Sequence, residues 1–260
     1  MKSIEESNIW KKMDEIKLLG GKVGIYLSFI IVLIWVIFPI IWIFLTSIKT
    51  TEQAFRLPPV WIFWPVSEGY QSAVKEGFFQ AVLNSTIVAL VSTSLSLVIG
   101  TPAAYVFSRF EFPGKTNLQF FVLSLYFVPA ITILIPLLTV WRTLGLIGSY
   151  IPITIMHTLM NLPLGVCVLK GFIDDVPRAV EEAALIDGCS YEKAFFKITL
   201  PLIAPGLAAV AILSFLFSWN EFTYALMLTG GSTQTVPIAL QKYITPAGVM
   251  WGKIAAASMM

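Results

Sequence analysis

Charge is scarce in this chain. Only 12% of its 260 residues are Asp, Glu, Lys or Arg, where an ordinary soluble domain carries about 25%. The 17 basic and 15 acidic side chains nearly cancel, to +2. That balance excludes a nucleic-acid binder, a highly charged disordered chain and a solvating tail. Cysteine is scarcer still: Cys167 and Cys189 are too few for a disulfide scaffold, and neither stands in a CxxC or histidine-spaced pair that would signal zinc. The single histidine, His157, falls inside an apolar run, where a hydrogen bond to a neighbouring helix is its expected use. No GxxxxGK[ST] phosphate loop occurs, so the chain has no ATP site of that kind, and no cofactor or metal is expected in it.

Apolar residues fill the space that charge leaves, at 57%. A bilayer core of about 30 Å needs about 20 apolar helical residues. Five stretches qualify, 24–48, 81–108, 118–141, 150–169 and 202–228; four hold no charged side chain and the fifth holds only Glu221. Nothing alternates with the period of a barrel strand, so the expected class is an all-α integral membrane protein, a polytopic helix bundle whose backbone is satisfied within each span. The first stretch is too long for a signal-peptide core and no small-residue cleavage site follows it, so it reads as an uncleaved anchor after a cytoplasmic segment 1–23. Residues 254–260 read as the start of a sixth span: either a half-span, or, the favoured reading, a truncated copy of a longer chain. With the N-terminus inside, eleven Lys and Arg fall on the cytoplasmic side and six outside, the bias of a membrane protein with that orientation.

The spans differ in kind. The first is aliphatic and aromatic all round, as suits a lipid-facing helix, whereas the second carries Asn84, Ser85, Thr86, Ser92, Thr93, Ser94 and Ser96. Small hydroxyl residues serve close helix packing, and some can face a wet pathway; both readings stay open. Prolines at 129, 136, 152, 163 and 205 interrupt the later spans, a pattern tolerated where neighbours or water satisfy the freed backbone. Glu221, beside Asn220, is the lone intramembrane acid. It either faces the bundle interior, as a pathway residue, or snorkels to the outer interface. Asn84, Asn220 and Glu221 are the pathway candidates.

The segment 170–201 holds ten of the chain's 32 charged residues. Its grammar is helix–turn–helix. Asp174 and Asp175 precede Pro177 at a first turn, Gly188 fits a left-handed position after the first helix, Ser190 can cap a second, and Pro201 is expected to stop it. Tyr191, Ala194, Phe195 and Ile198 form one apolar stripe, either a docking surface or a face folded back on its own domain.

Within that segment Glu182-Ala183-Ala184, Gly188 and Ile198-x-Leu200-Pro201 match, position for position, the EAA loop of permease subunits in binding-protein-dependent ABC importers. Pro102-Ala103-Ala104-Tyr105 through Arg109-Phe110-x-Phe112-Pro113-Gly114, then Gly145-Leu146-Ile147 and Trp219-Asn220-Glu221, resemble the carbohydrate-uptake, maltose-transporter branch, and within it the smaller six-span MalG-type partner. The resemblance implies a type I importer permease fold with five complete spans and the start of a sixth. It implies a second permease subunit in a heterodimer, two ATPase subunits that bind the ATP, and an extracytoplasmic solute-binding protein. It assigns the coupling role to Glu182, Ala183, Ala184, Asp187, Gly188, Ile198, Leu200 and Pro201, and receptor contact to the outer segment 229–252. The residues leave two alternatives: a permease of another ABC importer branch, or a secondary transporter, which would need intramembrane acids at more than one site. An intramembrane enzyme would need a nucleophile–base pair or metal ligands that the spans do not offer.

Overall fold

The computed structural model describes residues 2–246 and 248–260, with side chains described from residue 24 onward; the amino-terminal lysines that orient the chain by charge lie outside those side chains. In chain order the helices are α1 (Lys2–Ser47), α2 (Thr51–Phe55), α3 (Glu68–Lys75), α4 (Phe78–Arg109), α5 (Lys115–Ser124), α6 (Ala130–Thr143), α7 (Tyr150–Asp174) and α8 (Arg178–Ile186). They continue as α9 (Tyr191–Ala194), α10 (Leu200–Leu202), α11 (Ala204–Asn220), α12 (Thr223–Leu228) and α13 (Val236–Gln241), with α14 (Trp251–Ser258) after a ribbon of two-residue strands, β1 (Ile244–Thr245) and β2 (Gly248–Val249). Among the described residues the architecture is therefore helical, as its composition predicts.

Among the described residues three helices are long and apolar enough to cross a membrane: Gly24–Ser47 within α1, α4 and α7. The number rises to five if each of two bent pairs counts as one span. One bend falls inside the expected span 118–141 and the other at the beginning of 202–228. Lys115–Phe127 meets Ala130–Thr143 at 90°. The cause is local: Val128, pushed out of the helical region by the ring of Pro129, is extended at φ −72°, ψ 125°. Tyr191–Leu202 meets Ala204–Asn220 at 73°. The helix stops again at Glu221, which is extended, and restarts as α12. Pro201 does not end the hairpin's second limb as expected. A π turn over Phe195–Thr199 precedes it, and Pro201 sits in the first turn of α10, where a missing N–H is tolerated.

The chain divides into two units. The first comprises residues 1–73 and 245–260. There α14 lies on α1 and also meets α3, so closely that a Cβ on Gly69 of α3 would stand 2.8 Å from the Ala256 Cβ. The Lys49 ammonium stands 5.2 Å over the Trp42 ring and 5.0 Å over that of Phe63. From Gly24 onward most of α1 is exposed apolar surface, Trp35 at 78% being one example, as befits a helix with lipid around it.

The second unit, residues 74–244, is built on α4, which packs along α7 and α11. Lipid is as apolar as leucine, so close approach rather than water exclusion holds such helices together. The sequence supplies the small residues this needs. A Cβ on Gly206 would meet the Phe172 ring at 2.5 Å, so α11 can approach α7 there only with glycine. Apolar clusters close the two ends of the unit. One gathers Phe107, Leu169, Ile173, Phe195 and Ile203; the other gathers Val88, Leu134, Ile153, Met156 and Leu228.

Candidate functional site

The charged hairpin has the local structure its residues predict. Pro177 occupies the N-cap position of α8, one place earlier than the first-turn reading. Asp187 ends α8, and Gly188 turns the chain at φ +87°, a conformation that L side chains rarely adopt. Ser190 caps α9 by accepting a hydrogen bond from the Lys193 N–H at 3.3 Å. The apolar stripe divides. Ala194 and Phe195 are buried, Phe195 lying 4.9 Å from Tyr105, so this part of the stripe folds back on its own unit. Tyr191 meets the Phe110 ring at a tilt, centroids 5.4 Å apart, yet stays 57% exposed, and with Ile186 at 86% and Phe196 at 63% it forms the uncovered apolar set. Glu182, Ala183, Asp187, Gly188 and Pro201 are exposed, Ala184 is buried, and Ile198 and Leu200 are half-buried.

What braces the hairpin is a carboxylate that sequence reasoning passed over. Glu181, next to Glu182, turns inward and is buried. The Arg109 Nε donates to both of its oxygens at 3.0 Å, and Arg109 Nη2 approaches Oε1 at 3.0 Å. Thr199 Oγ1 donates at 2.8 Å and the Tyr105 hydroxyl at 3.2 Å. Arg109 also donates to the Val176 carbonyl at 2.8 Å, and Arg178 to the Ser108 carbonyl at 2.9 Å. One carboxylate thus ties α8, the π turn and the end of α4. Burial by itself would raise the Glu181 carboxyl; the hydrogen bonds from Arg109 and Thr199, with the Arg109 charge, outweigh it and hold the group below the ordinary glutamate value. The one signal in the sequence was Tyr105 and Arg109 at i, i+4 on one face of α4; the 72 residues from Arg109 to Glu181 hid their partner.

Deeper in the unit lies a second polar network. Glu221 Oε1 accepts from the Tyr224 N–H at 2.9 Å and Oε2 from the Ala225 N–H at 3.1 Å, so the carboxylate caps α12. His157, fully buried, places Nε2 3.2 Å from Glu221 and Nδ1 2.6 Å from Ser218 Oγ, which is 3.1 Å from Ser92 Oγ. The carboxylate is an acceptor, which assigns the proton to Nε2 and leaves Nδ1 to accept from Ser218. With its side chain only 8% exposed, Glu221 faces inward and does not snorkel.

Asn220 and Glu221 lie together on a cavity of about 430 Å³, with Tyr126, Asn161 and Phe217 also in its wall. Asn161, on α7, donates to the Ser214 carbonyl at 3.2 Å. Two of the three helix breaks border this space, Tyr126 standing just before the 90° bend and Glu221 at the end of α11. Irregular backbone inside a membrane is tolerated where it lines a cavity. Asn84 lies elsewhere. Its amide nitrogen donates to the carbonyls of Ser232 and Gln234, and its oxygen accepts from Gln80 and the Tyr150 hydroxyl at 2.6 Å. No group of three or more His, Cys, Asp or Glu side chains able to hold a metal occurs among the described residues.

Comparison with known proteins places this arrangement. Residues 96–260 match the family described as the binding-protein-dependent transport system inner membrane component. The chain is 33% identical to the sulfoquinovosyl glycerol transport system permease protein SmoH of Agrobacterium fabrum, over 92% of this chain and 85% of that protein. It is 33% identical to the trehalose transport system permease protein SugB of Mycobacterium tuberculosis, over 80% and 77% of the two chains. Its fold is similar to a chain in the crystal structure of a bacterial ABC transporter involved in the import of the acidic polysaccharide alginate, with TM-score 0.70 and 21% identity, covering 94% of this chain and 91% of that one. The chain belongs to the inner membrane components of binding-protein-dependent transport systems, a family of permease proteins and not of enzymes.

Proposed function

We propose that this chain forms half of the translocation pathway of an ABC importer for a sugar or related polyol. Its partners are a second permease, two ATPase subunits that bind the ATP, and an extracytoplasmic solute-binding protein. The supporting names are those of its relatives, several of which serve carbohydrate uptake. The chain crosses the inner membrane with its N-terminus in the cytoplasm, in five spans with the start of a sixth. The bent pair Lys115–Thr143 counts as the third span and the stretch 202–228 as the fifth, so the hairpin 170–201 is cytoplasmic and the segment 229–252 faces the receptor.

The observation that carries the reading is the hairpin. It is braced from inside by Glu181, yet it presents Glu182, Ile186, Tyr191 and Phe196 outward. A rigid, amphipathic projection is what an ATPase cleft can grip. ATPase closure displaces the hairpin, and the spans pass between inward-open and outward-open arrangements. Glu182, Ala183, Ala184, Asp187, Gly188, Ile198, Leu200 and Pro201 are the coupling residues, and the exposed Glu182 pairs with a basic group of the ATPase. Along the pathway the amides of Asn161 and Asn220, the Glu221 carboxylate and the ring of Tyr126 offer the hydrogen bonds and stacking surface that a polyhydroxylated cargo needs.

The test is Glu182→Lys in the assembled importer. Uptake and substrate-stimulated ATP hydrolysis are expected to be lost, with the permease still inserted in the membrane. Wild-type uptake in that variant would remove the coupling role.

A further inference from the structure

The hairpin and the outer turn are fastened to the same helix. At one end of α4, Tyr105 and Arg109 hold the Glu181 carboxylate, and through Thr199 that carboxylate also fixes the hairpin's second limb. Toward the other end, Asn84 donates to the carbonyls of Ser232 and Gln234 at 3.0 and 2.8 Å, and Ser85 Oγ accepts from the Val236 N–H at 2.8 Å. Asn84 and Arg109 stand 25 positions apart on one helix that runs through Pro102 without ending, about 38 Å at 1.5 Å per residue. Midway, Ser92 meets Ser218, and Gly100 lets Leu162 and Val166 of α7 come within 3.5 and 3.6 Å of where its Cβ would be.

The covalent route from hairpin to outer turn is less direct. It bends 73° between Leu202 and Ala204, and it breaks again between Asn220 and Thr223. A displacement entering along that route meets two soft joints. Entering through Glu181, it meets charge-assisted hydrogen bonds and one continuous helix.

We propose that α4 is the connecting rod of this permease, with Arg109, Tyr105 and Asn84 as positioning residues that carry hairpin motion to the outer turn and receptor-side motion back. The inference rests on the reading above, in which the hairpin meets the ATPase and the 229–252 segment meets the receptor. Coupling of this kind is reciprocal, so either end must sense the other.

The experiment uses the complete importer in lipid nanodiscs with an environment-sensitive fluorophore on the exposed position of Ser232→Cys. The non-hydrolysable analogue AMP-PNP is added. In the otherwise unmodified complex the fluorophore responds to nucleotide. Glu181→Gln and Asn84→Leu each reduce that response about tenfold in complexes that still bind AMP-PNP, within the usual range of allosteric coupling. Tyr105→Phe, which deletes one hydroxyl, reduces it less. The double variant Glu181→Gln/Asn84→Leu loses no more than the worse single variant, because both faults lie on one rod. A purely structural role would lower the yield of assembled complex and leave the response of each assembled complex unchanged; that result, or additive losses in the double variant, overturns the proposal. A parent complex that associates with no ATPase subunit overturns the reading beneath it.

Discussion

Two neighbouring glutamates in this chain do opposite work. On α8 Glu182 faces out while Glu181 turns in to Arg109, because successive residues on a helix point about 100° apart. The inward group carries a pH dependence of known sign. Its folded value lies below the ordinary one, so its stabilisation is complete above the ordinary glutamate value and is lost as pH falls through the lowered folded value. Hydrogen exchange should therefore find the amides of α8 protected at neutral pH and released under strong acid, and Glu181→Gln should be unprotected at both. Gly188 provides a second residue-scale test. No atom lies within 4 Å of a Cβ built there, so substitution costs only the left-handed backbone, about 1–2 kcal/mol and more for a β-branched side chain. Gly188→Val should abolish uptake with insertion intact, while Gly188→Asn, which tolerates that backbone, should retain much of it.

Among the elements, α12 depends on a cap from outside itself. It is six residues long, and Glu221 satisfies the N–H groups of Tyr224 and Ala225. Glu221→Ala removes the cap and leaves His157 without its acceptor, a loss of about 1–3 kcal/mol. Exchange of the α12 amides should quicken and uptake should fall by more than expression does; uptake equal to the parent would confine Glu221 to a structural duty. Such dependences mark the limit of what the sequence discloses. Hydropathy located α4 and α7 within a few residues because each is one uninterrupted apolar helix. It could not give the angle at which 118–141 turns, nor show that 202–228 stops at Glu221 and restarts, since neither changes composition. Pro129 is the visible trace of the first, while Glu221, which caps the restart, reads in the sequence either as a pathway residue or as an acid snorkelling to the interface. The hairpin's turn was legible because Gly188 and Ser190 act locally. Its brace was not, because Arg109 and Glu181 are joined only by the fold.

The whole molecule makes a topological commitment. Ser190 sits at the exposed tip of the hairpin, on the side that the excess of Lys and Arg assigns to the cytoplasm. With the two native cysteines, both half-buried, replaced by serine, Ser190→Cys should react with a membrane-impermeant thiol reagent in inside-out vesicles and not in intact cells. Labelling of intact cells would invert the topology. The two-ended design also bears on how such a permease diversifies. Asn84 grips main-chain oxygens at positions 232 and 234, never the side chains there. Those side chains are therefore free to be rewritten, and under the function proposed above a permease could be refitted to a different delivery protein by altering that face while the fastening beneath stayed as it was.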